Sequence, residues 1–551
     1  MRRGSQLAHY ASLVLAFGAL LYIGRRQWFF YDEWEFLATR GLGGQSLRLF
    51  APHNEHWSTI PILVFRGLYA VVGLRSYLPY LAVLLLLHVT IAYVVWRLML
   101  RAGAGGWVAT ALAAIFLFLG GGYENIIWAF QIGFLISTLC GLVMLILADH
   151  GDRRFGRRDA AVWAVGVAGL MSSGVGVTMV GIAGVTALLR RGWRAALATV
   201  SVPALVYFGW LALEGHRGLS GTHLSASLLV DIPAYVWNGL TGAADLPSRL
   251  SILGAAAVVA VLAWCLLHHR AAAHQAPAFA GAIGAVLFFV VTGLGRVQLG
   301  ASQASSPRYV YVATALLLPI VAVMLSAVAR RGLITQLGVG VLILLVLAHN
   351  AAQLTRQARD WASTKQQEEQ QILAGSQLLA SGARVIGEHP DPMWAPDLTT
   401  TDLATMVRER ALPTASDLTA TNRLDAMLAL YTELSAQPLY PLASLEITAG
   451  NGTLMRVSPS CFQTTLTGGA HAVLLQFTTL GSVEVISPVP AGGGISLATM
   501  SGARSSDSQP VPLAAKMPVF IDVARAPVQL TLTALPDAVE ICGAPLPPAA
   551  P

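Results

Sequence analysis

Charged residues are scarce in this chain, and their scarcity indicates its class. Asp, Glu, Lys and Arg make up 11% of the 551 residues, whereas soluble domains carry about 25%. The deficit lies in residues 1–349, where long apolar runs alternate with short arginine-rich segments, while residues 350–551 have an ordinary soluble composition. The pattern excludes a protein that is soluble along its whole length. It predicts a membrane domain followed by water-exposed domains.

Motifs of several soluble enzyme classes and of nucleic-acid-binding proteins are also missing. The chain has no P-loop, no dinucleotide-binding fingerprint after a strand and no G-x-S-x-G elbow. Its net charge is +7, but the arginines flank apolar runs instead of forming a basic patch with interleaved aromatic residues. We therefore interpret them as topology signals and contacts to membrane lipids, and we expect no nucleic-acid partner.

Cysteine is rare as well, with four residues. Cys140 and Cys265 lie in apolar runs, where a buried inert thiol is the usual case. Cys461 and Cys542 lie in the soluble part and can form a disulfide if that part is outside the cytoplasm. The sequence leaves their pairing open.

The apolar runs predict about eleven membrane crossings. A helix needs about 20 apolar residues to cross a bilayer, and two adjacent runs, 160–172 and 174–189, are short for that purpose. The eleven predicted spans are 8–24, 77–97, 107–121, 128–148, 160–172, 174–189, 195–213, 250–268, 277–294, 309–328 and 333–349.

Basic residues predict the orientation of these spans. They follow every even-numbered span, as Arg153 does after the fourth and Arg330 after the tenth, and only the pair at 25–26 goes against the pattern. Because positive residues favour the cytoplasmic side, we expect a multi-pass plasma-membrane protein with a cytoplasmic N-terminus. The outer segments are then 25–75, 122–127, 214–249, 295–308 and everything after 349.

The soluble part changes character along its length. Polar helical patterns cover 353–379 and about 400–436, and from about 443 short alternating runs separated by Gly, Pro and Ser predict an antiparallel β-sandwich. An interfacial helix is also predicted over 228–240 in the third outer segment, with Tyr235 and Trp237 at the headgroup level of the membrane. The predicted fold is thus a polytopic α-helical membrane domain followed by an extracytoplasmic α+β domain that ends in a β-sandwich. The predicted domains are 1–349 (transmembrane, catalytic), 350–440 (helical connector) and 441–545 (β-sandwich).

Acids are concentrated at the start of the first outer segment. Asp32, Glu33 and Glu35 occupy three of four positions just beyond the first span. Clustered carboxylates repel one another and are costly to desolvate, so beside a membrane they are functional candidates. The surrounding aromatic residues would hold them in a partly buried place, where a general base has a tuned pKa. A hydrated loop whose acids face water is the alternative.

This arrangement resembles the GT-C glycosyltransferase superfamily. Its members, among them protein O-mannosyltransferases and cell-wall arabinosyltransferases, have a cytoplasmic N-terminus and a long first outer loop with an acidic pair near its start, where this chain has Asp32-Glu33. The resemblance implies inverting transfer of a sugar from a polyprenyl-phosphate donor to a cell-envelope glycan, glycolipid or protein. It implies that Asp32 is the general base and that Glu33 orients the acceptor or holds a cation.

Three further residues of the first outer segment are candidates. His53, Glu55 and His56 can hydrogen-bond the donor phosphate or the acceptor, and if a helix begins at 54 the two histidines share a face. With Asp32 they could instead bind a divalent cation (Mg, Mn or Ca), although no standard ligand spacing is present, so no metal ligand is assigned. Helix capping and packing remain the third interpretation.

The later outer segments offer candidates for phosphate and sugar binding. Arg296 and Arg308-Tyr309 flank a short Ser-rich segment, and a guanidinium suits a phosphate, although an arginine at a span end is also a common membrane anchor. Glu124 and Asn125 can contact a sugar or form an interfacial turn.

Two other functions stay open at this point. A transporter or flippase of a lipid-linked saccharide would place ionisable groups in the spans, which are nearly free of them apart from His88. A non-catalytic cell-envelope assembly protein would tolerate the loss of Asp32.

Overall fold

The computed structural model describes residues 2–152, 154–218, 229–243, 251–414, 418–450, 453–465, 471–487, 495–501, 504–535 and 538–544. They form two compact units. Unit 1 consists of Met1–Gln27, Leu47–Leu68 and Tyr77–Ser363, and unit 2 consists of Trp28–Ser46, Tyr69–Ser76 and Thr364–Pro551. The first outer segment therefore contributes residues to both units, a division that differs from the boundaries predicted at 349 and 440.

Seventeen α-helices are described in this part of the chain. In chain order they are α1 (Arg2–Ile23), α2 (Glu33–Leu37), α3 (Thr59–Val72), α4 (Leu78–Arg101), α5 (Gly106–Leu117), α6 (Glu124–Ile127), α7 (Ile132–Ala148), α8 (Arg157–Leu170), α9 (Val175–Arg191), α10 (Trp193–Leu213), α11 (Ile232–Gly242), α12 (Ser251–Leu267), α13 (Ala276–Arg296), α14 (Pro307–Ala329), α15 (Leu333–Ala380), α16 (Thr400–Arg408) and α17 (Ala420–Tyr431).

Each of the eleven predicted spans coincides with a helix. Among the described residues, seven helical segments are long and apolar enough to cross a membrane: Arg3–Ile23, Leu78–Arg101, Ala129–Ala148, Trp193–Leu213, Ala276–Leu299, Pro307–Ala329 and Leu333–Ala380. Helices α5 and α12 are shorter apolar helices, and α8 and α9 have 14 and 17 residues. The chain is therefore a multi-pass membrane protein, and seven of its described helical segments are long enough to span a bilayer.

Small residues let the helices of unit 1 approach closely. Gly141 of α7 lies directly against the side chain of Met179 of α9, and Gly176 lies so near Gly169 that a Cβ there would be 2.6 Å from the Gly169 carbonyl oxygen. Close backbone approach at small residues is how membrane helices associate, because lipid tails compete equally well for larger apolar side chains. The Ser172–Gly174 turn between α8 and α9 is packed in this way.

Helix α3 was not predicted. The sequence was interpreted as one polar stretch from 25 to 75, yet residues Thr59–Val72 form a 14-residue apolar helix. The start of the predicted interfacial helix at 228 lies outside the described residues, and α11 begins at Ile232.

Helix α15 joins apolar and polar sequence in one continuous element. Its 48 residues span about 72 Å at 1.5 Å per residue, more than twice the hydrocarbon thickness of a bilayer. Its apolar part is 333–349, so the predicted boundary at 349 falls inside the helix. The predicted polar helix over 353–379 is the second half of the same helix.

The C-terminal part of unit 2 contains twelve described strands, all paired antiparallel. They are β1 (Thr432–Ser435), β2 (Leu445–Ala449), β3 (Thr453–Arg456), β4 (Cys461–Thr465), β5 (His471–Phe477), β6 (Gly481–Ile486), β7 (Ile495–Ser501), β8 (Arg504–Ser505), β9 (Gln509–Val511), β10 (Pro518–Val523), β11 (Val528–Leu535) and β12 (Glu540–Cys542).

These strands form two sheets with one core between them. One sheet has the order β1-β10-β6-β12-β4-β3, and the other has the order β2-β5-β11-β7-β8, with β9 paired to β7. Val485 and Ile521 of the first sheet and Leu475 and Leu532 of the second are fully buried in the same apolar cluster. Burial alternates along strands such as β2 and β11, which turns one face of each toward this core, and the predicted β-sheet region is confirmed.

Two details of this region correct or complete the sequence analysis. The helical pattern predicted up to 436 is wrong at its end. The backbone becomes extended at Thr432, which pairs with Val523 of β10. Cys461 of β4 and Cys542 of β12 are register partners and form a disulfide.

Candidate functional site

The acidic pair lies at the start of unit 2. Asp32 precedes α2, and Tyr31 before it has φ of 51°, a left-handed conformation that reverses the chain. Glu33 is fully buried and its carboxylate accepts the Phe30 N–H at 2.7 Å. Trp34 is also fully buried, as expected from the aromatic content of this segment. Glu33 thus closes the turn that carries Asp32, and the catalytic roles of both acids remain predictions.

Glu35, the third acid, belongs to a local ion pair. Its carboxylate accepts from Nε of Arg40 at 2.8 Å and from the hydroxyl of Thr39 at 2.8 Å. Arg40 is 4% exposed, so this pair holds the residues after α2 in place.

A buried acid that the sequence analysis did not identify lies beside this turn in unit 2. Glu368, on the polar half of α15, is 1% exposed and accepts from the indole N–H of Trp34 at 3.0 Å. Burial raises the pKa of Glu368 well above its usual value, and Asp391 raises it further, whereas Lys365 opposes the shift. Burial therefore favours the protonated form of Glu368. The signal that the sequence offers for this buried acid is the spacing of Lys365 and Glu368, which are three positions apart and therefore share one face of a helix.

The two histidines of the first outer segment, in unit 1, are joined by a tight turn. His53 and His56 exchange backbone hydrogen bonds of 3.0 and 2.9 Å, and Asn54 between them has φ of 50°. The conditional prediction of a helix beginning at 54 is wrong, because this left-handed residue stops helix formation and α3 begins at Thr59. His53 packs edge-on against Phe130, with ring centroids 5.4 Å apart.

Glu55 and Arg296, 241 positions apart in the chain, form an ion pair in unit 1. Burial alone would raise the pKa of Glu55, but its interactions with His56 and with the charged Arg296 outweigh burial, and the pKa of Glu55 lies below its usual value. Glu55 is consequently a charged acceptor, held by a guanidinium at the end of α13.

His56 completes a cluster with both predicted phosphate-binding arginines. Its Nε2 lies 3.7 Å from Glu55. Burial lowers the pKa of His56, and the charges of Arg296 and Arg308 lower it further against the opposing effect of Glu55. The neutral imidazole is therefore favoured. We call Glu55, His56, Arg296 and Arg308 the arginine cluster.

The fold brings the arginine cluster together from four places in unit 1. Arg296 ends α13, and Arg308 is the second residue of α14. Arg308 lies 5.5 Å from the ring centroid of Tyr309, which is 6% exposed. The turn between α8 and α9 lies against His56, since a Cβ on Gly174 would be 2.7 Å from its Nδ1.

Two aromatic neighbours of this cluster were not assigned to a site from the sequence. Tyr235 of α11 is fully buried; burial raises its pKa, Tyr309 adds to the shift, and both arginines oppose it. Trp57 stacks on Trp210 with ring centroids 5.1 Å apart and planes 5° from parallel. The sequence analysis gave Tyr235 only a role at the headgroup level of the membrane.

Two buried amides lie in and just after the second outer segment. Asn125 and Gln131 are fully buried, and none of their side-chain nitrogen or oxygen atoms has a hydrogen-bonding partner among the described residues. Tyr123 and Trp128 pack edge-on against Trp361 nearby, with centroids 5.2 and 5.8 Å apart. Burial and the charge of Glu124 raise the pKa of Tyr123 to about 12. The segment therefore combines an aromatic turn with unsatisfied amide groups.

The predicted divalent cation is not tested by these residues. Among the described side chains, the one group of three potential ligands within 4.8 Å of one another is Cys461, Glu540 and Cys542, and its two thiols form the disulfide. In the arginine cluster, the positive charges of Arg296 and Arg308 both act on His56, which favours an anion over a cation there.

Comparisons with known proteins gave distant structural likenesses. No family model and no curated protein sequence matches the chain. ArnT from Cupriavidus metallidurans, crystallised bound to undecaprenyl phosphate, is 14% identical with a TM-score of 0.45, over 77% of this chain and 87% of that one. A mutant of the arabinofuranosyltransferase AftD from mycobacteria is 12% identical with a TM-score of 0.32, over 100% of this chain and 63% of that one. At these TM-scores the functional interpretation depends on the chain's own residues.

Proposed function

We propose that this chain is an integral-membrane glycosyltransferase of the GT-C type. It moves a sugar from a polyprenyl-phosphate donor to an acceptor hydroxyl on a cell-envelope glycan, glycolipid or protein, at the outer face of the membrane. The observation that carries the proposal is the arginine cluster, in which Arg296 pairs with Glu55, His56 lies beside Glu55, and the charges of Arg296 and Arg308 both act on His56.

The arginine cluster has the chemistry of a lipid-phosphate site. A planar guanidinium binds phosphate oxygens by two parallel hydrogen bonds. Arg296 is held by Glu55, so its charge is partly offset and its position is fixed. Arg308, at the start of α14, is proposed as the principal phosphate contact. The neutral form of His56, favoured by both arginines, can donate one hydrogen bond to the phosphate without adding charge.

The resemblance to GT-C enzymes supplies the proposed base. Asp32 accepts the proton of the acceptor hydroxyl, the oxygen forms a bond to the anomeric carbon, and the bond from that carbon to the phosphate oxygen breaks. The lipid phosphate leaves with the electron pair, and the anomeric configuration inverts. A carboxylate positioned in this way contributes roughly 10²–10⁴-fold to the rate. Charge on the departing phosphate is stabilised by the guanidinium groups.

Asn125 and Gln131 are proposed to contact the donor sugar. A buried amide without a partner costs roughly 1–3 kcal/mol, so a ligand that supplies hydroxyl groups would offset that cost. Amide side chains both donate and accept, which matches sugar hydroxyls. Glu124 is proposed to assist from the same short helix, α6.

An outer location for the C-terminal part is supported by the Cys461–Cys542 disulfide, because disulfides persist in oxidising compartments. The main observation in favour of the transporter alternative, an ionisable residue inside the spans, has a structural explanation. His88, the main ionisable residue in the predicted spans, is hydrogen-bonded to the Tyr311 hydroxyl at 2.8 Å and to the Leu117 carbonyl at 3.1 Å. It is therefore accounted for as a helix-packing residue.

The proposal is tested by sugar transfer from radiolabelled polyprenyl-phosphate sugars, with the full chain in detergent. Wild type should transfer label to an envelope acceptor, Asp32→Asn should lose at least about 10²-fold in kcat, and Asp231→Asn, an exposed acid before α11, should retain full activity. Equal activity of Asp32→Asn and wild type would remove the base assignment. In proteoliposomes, label that crosses the bilayer without being transferred would favour the flippase.

A further inference from the structure

A second candidate binding region lies in unit 2. It is a cleft of about 400 Å³, within the range of small-molecule pockets. The segment 388–394, helix α17 and the edge of the β-sandwich line it. Five of its lining residues are acids: Glu388, Asp391, Asp425, Glu433 and Asp507. Among the described lining residues His389 is the one basic side chain.

The acids of this acidic cleft repel one another. Burial raises the pKa of Asp425 to about 6, and the charges of Asp507 and Asp391 add to the shift. Burial also raises the pKa of Glu433, and Glu388 contributes in the same direction. A positive charge brought into the cleft would reduce both effects.

Asp391 gives an independent indication of a ligand. Its side chain is 3% exposed, and Oδ1 accepts the backbone N–H groups of Met393 at 3.1 Å and Trp394 at 3.0 Å. Its Oδ2 has no hydrogen-bonding partner among the described residues. A carboxylate oxygen buried without a donor is unfavourable, and Asp391 lines the cleft, so a donor from a bound ligand fits this position.

Trp394 supplies a fixed aromatic wall. Its ring is stacked on Phe30 with centroids 5.5 Å apart, and its carbonyl accepts the Tyr31 N–H at 2.9 Å. The side chain is nevertheless 37% exposed. An indole held in this way attracts a cation to its face.

A single metal ion does not match this arrangement. Within the described part of the chain, no three acids of the cleft bring their oxygen atoms within 4.8 Å of one another. Divalent cations need several oxygen ligands around one point. Dispersed acids beside an aromatic face instead suit an extended ligand with hydrogen-bond donors.

We propose that the acidic cleft binds a small organic cation that carries a protonated amine. Asp391 is the principal hydrogen-bond acceptor for the amine, and the indole face of Trp394 contacts its positive charge. The remaining carboxylates provide the negative field that attracts it. This binding does not depend on the transfer reaction, so either proposal can fail alone.

The test is calorimetric binding to the full chain in detergent, with a glucosamine disaccharide and its N-acetylated counterpart as probes. The two share sugar rings and differ in charge. The amine should bind at least about tenfold more tightly than the acetylated form. Asp391→Asn should weaken amine binding about tenfold, whereas Glu446→Gln, an exposed acid on β2, should leave it unchanged.

A second variant is included because Asp391 also accepts the backbone hydrogen bonds that hold its own turn. Asp507 is exposed, so Asp507→Asn keeps the fold and should still weaken amine binding. Any of three results would overturn the proposal: equal affinity for the two probes, no binding of the amine, or unchanged amine affinity in both variants.

Discussion

At the scale of single residues, the chain uses long-range pairs that no local pattern contains. Glu55 meets Arg296 across 241 positions, and the sequence analysis named both without pairing them. Helix periodicity relates neighbours three or four positions apart, so it cannot bring together residues on different helices. The same limit applies to Tyr235, which was recognised only as an interfacial aromatic residue.

Gly174 tests the packing around His56. A methyl group at this position would lie 2.7 Å from His56 Nδ1, which forces the imidazole or the turn to move. Gly174→Ala should therefore lower the thermal midpoint and reduce transfer activity at least about tenfold. The matched control is Gly181→Ala in helix α9, which begins directly after Gly174 and where a Cβ at position 181 meets nothing within 4 Å. Wild-type behaviour of Gly174→Ala would argue against a fixed His56.

Glu368 gives a prediction of pH dependence. Its folded-state pKa is raised well above the unfolded value, first by burial. The folded state then retains a proton that the unfolded chain loses above about pH 4.5. The contribution of Glu368 to the free energy of unfolding is therefore favourable at low pH and is lost as the pH rises toward the folded-state pKa. Glu368→Gln removes this dependence and keeps an acceptor for the Trp34 N–H.

The stability gain of Glu368→Gln over wild type should accordingly grow from pH 5 to pH 8, measured as the difference in thermal midpoint. Glu446→Gln, on the exposed side of β2, should show no such trend. A gain that shrinks with rising pH would contradict the protonated state of Glu368.

At the scale of elements, apolar length predicted the helices well and the loops poorly. All eleven runs are helical because any stretch that long in a bilayer must satisfy its backbone internally. Helix α3 was missed because its apolar residues lie within a segment that contains many acids and histidines. Strand β1 was interpreted as helix because Thr432–Ser435 follows directly on α17, and only its pairing with β10 makes it extended.

The disulfide between β4 and β12 is the element-scale prediction for stability. It closes a loop with a sequence separation of 81, for which the chain-entropy model gives about 4–5 kcal/mol. Replacing Cys461 and Cys542 together with serine should lower the thermal midpoint of unit 2 markedly. Replacing Cys140 and Cys265, which are free, should have little effect. Equal midpoints for the two double variants would show that the bridge is absent in the native protein.

At the scale of the whole molecule, the proposal requires a definite topology. Single cysteines at Leu47 and Ser302, both exposed, should react with a membrane-impermeant maleimide in intact cells, on a background without Cys140 and Cys265. A cysteine at Arg154, in the predicted cytoplasmic segment, should react only after permeabilisation. Protection of the Leu47 position in intact cells would place the first outer segment in the cytosol and exclude an outer active site.

The central claim is that the arginine cluster binds a lipid phosphate, and binding of polyprenyl phosphate tests it most directly. Native mass spectrometry of the detergent-solubilised chain should show one bound polyprenyl phosphate on wild type and on Arg97→Ala, which removes an exposed arginine of α4. Arg308→Ala should lower the affinity at least about tenfold, with partial recovery in Arg308→Lys. Unchanged binding of polyprenyl phosphate to Arg308→Ala would contradict the account.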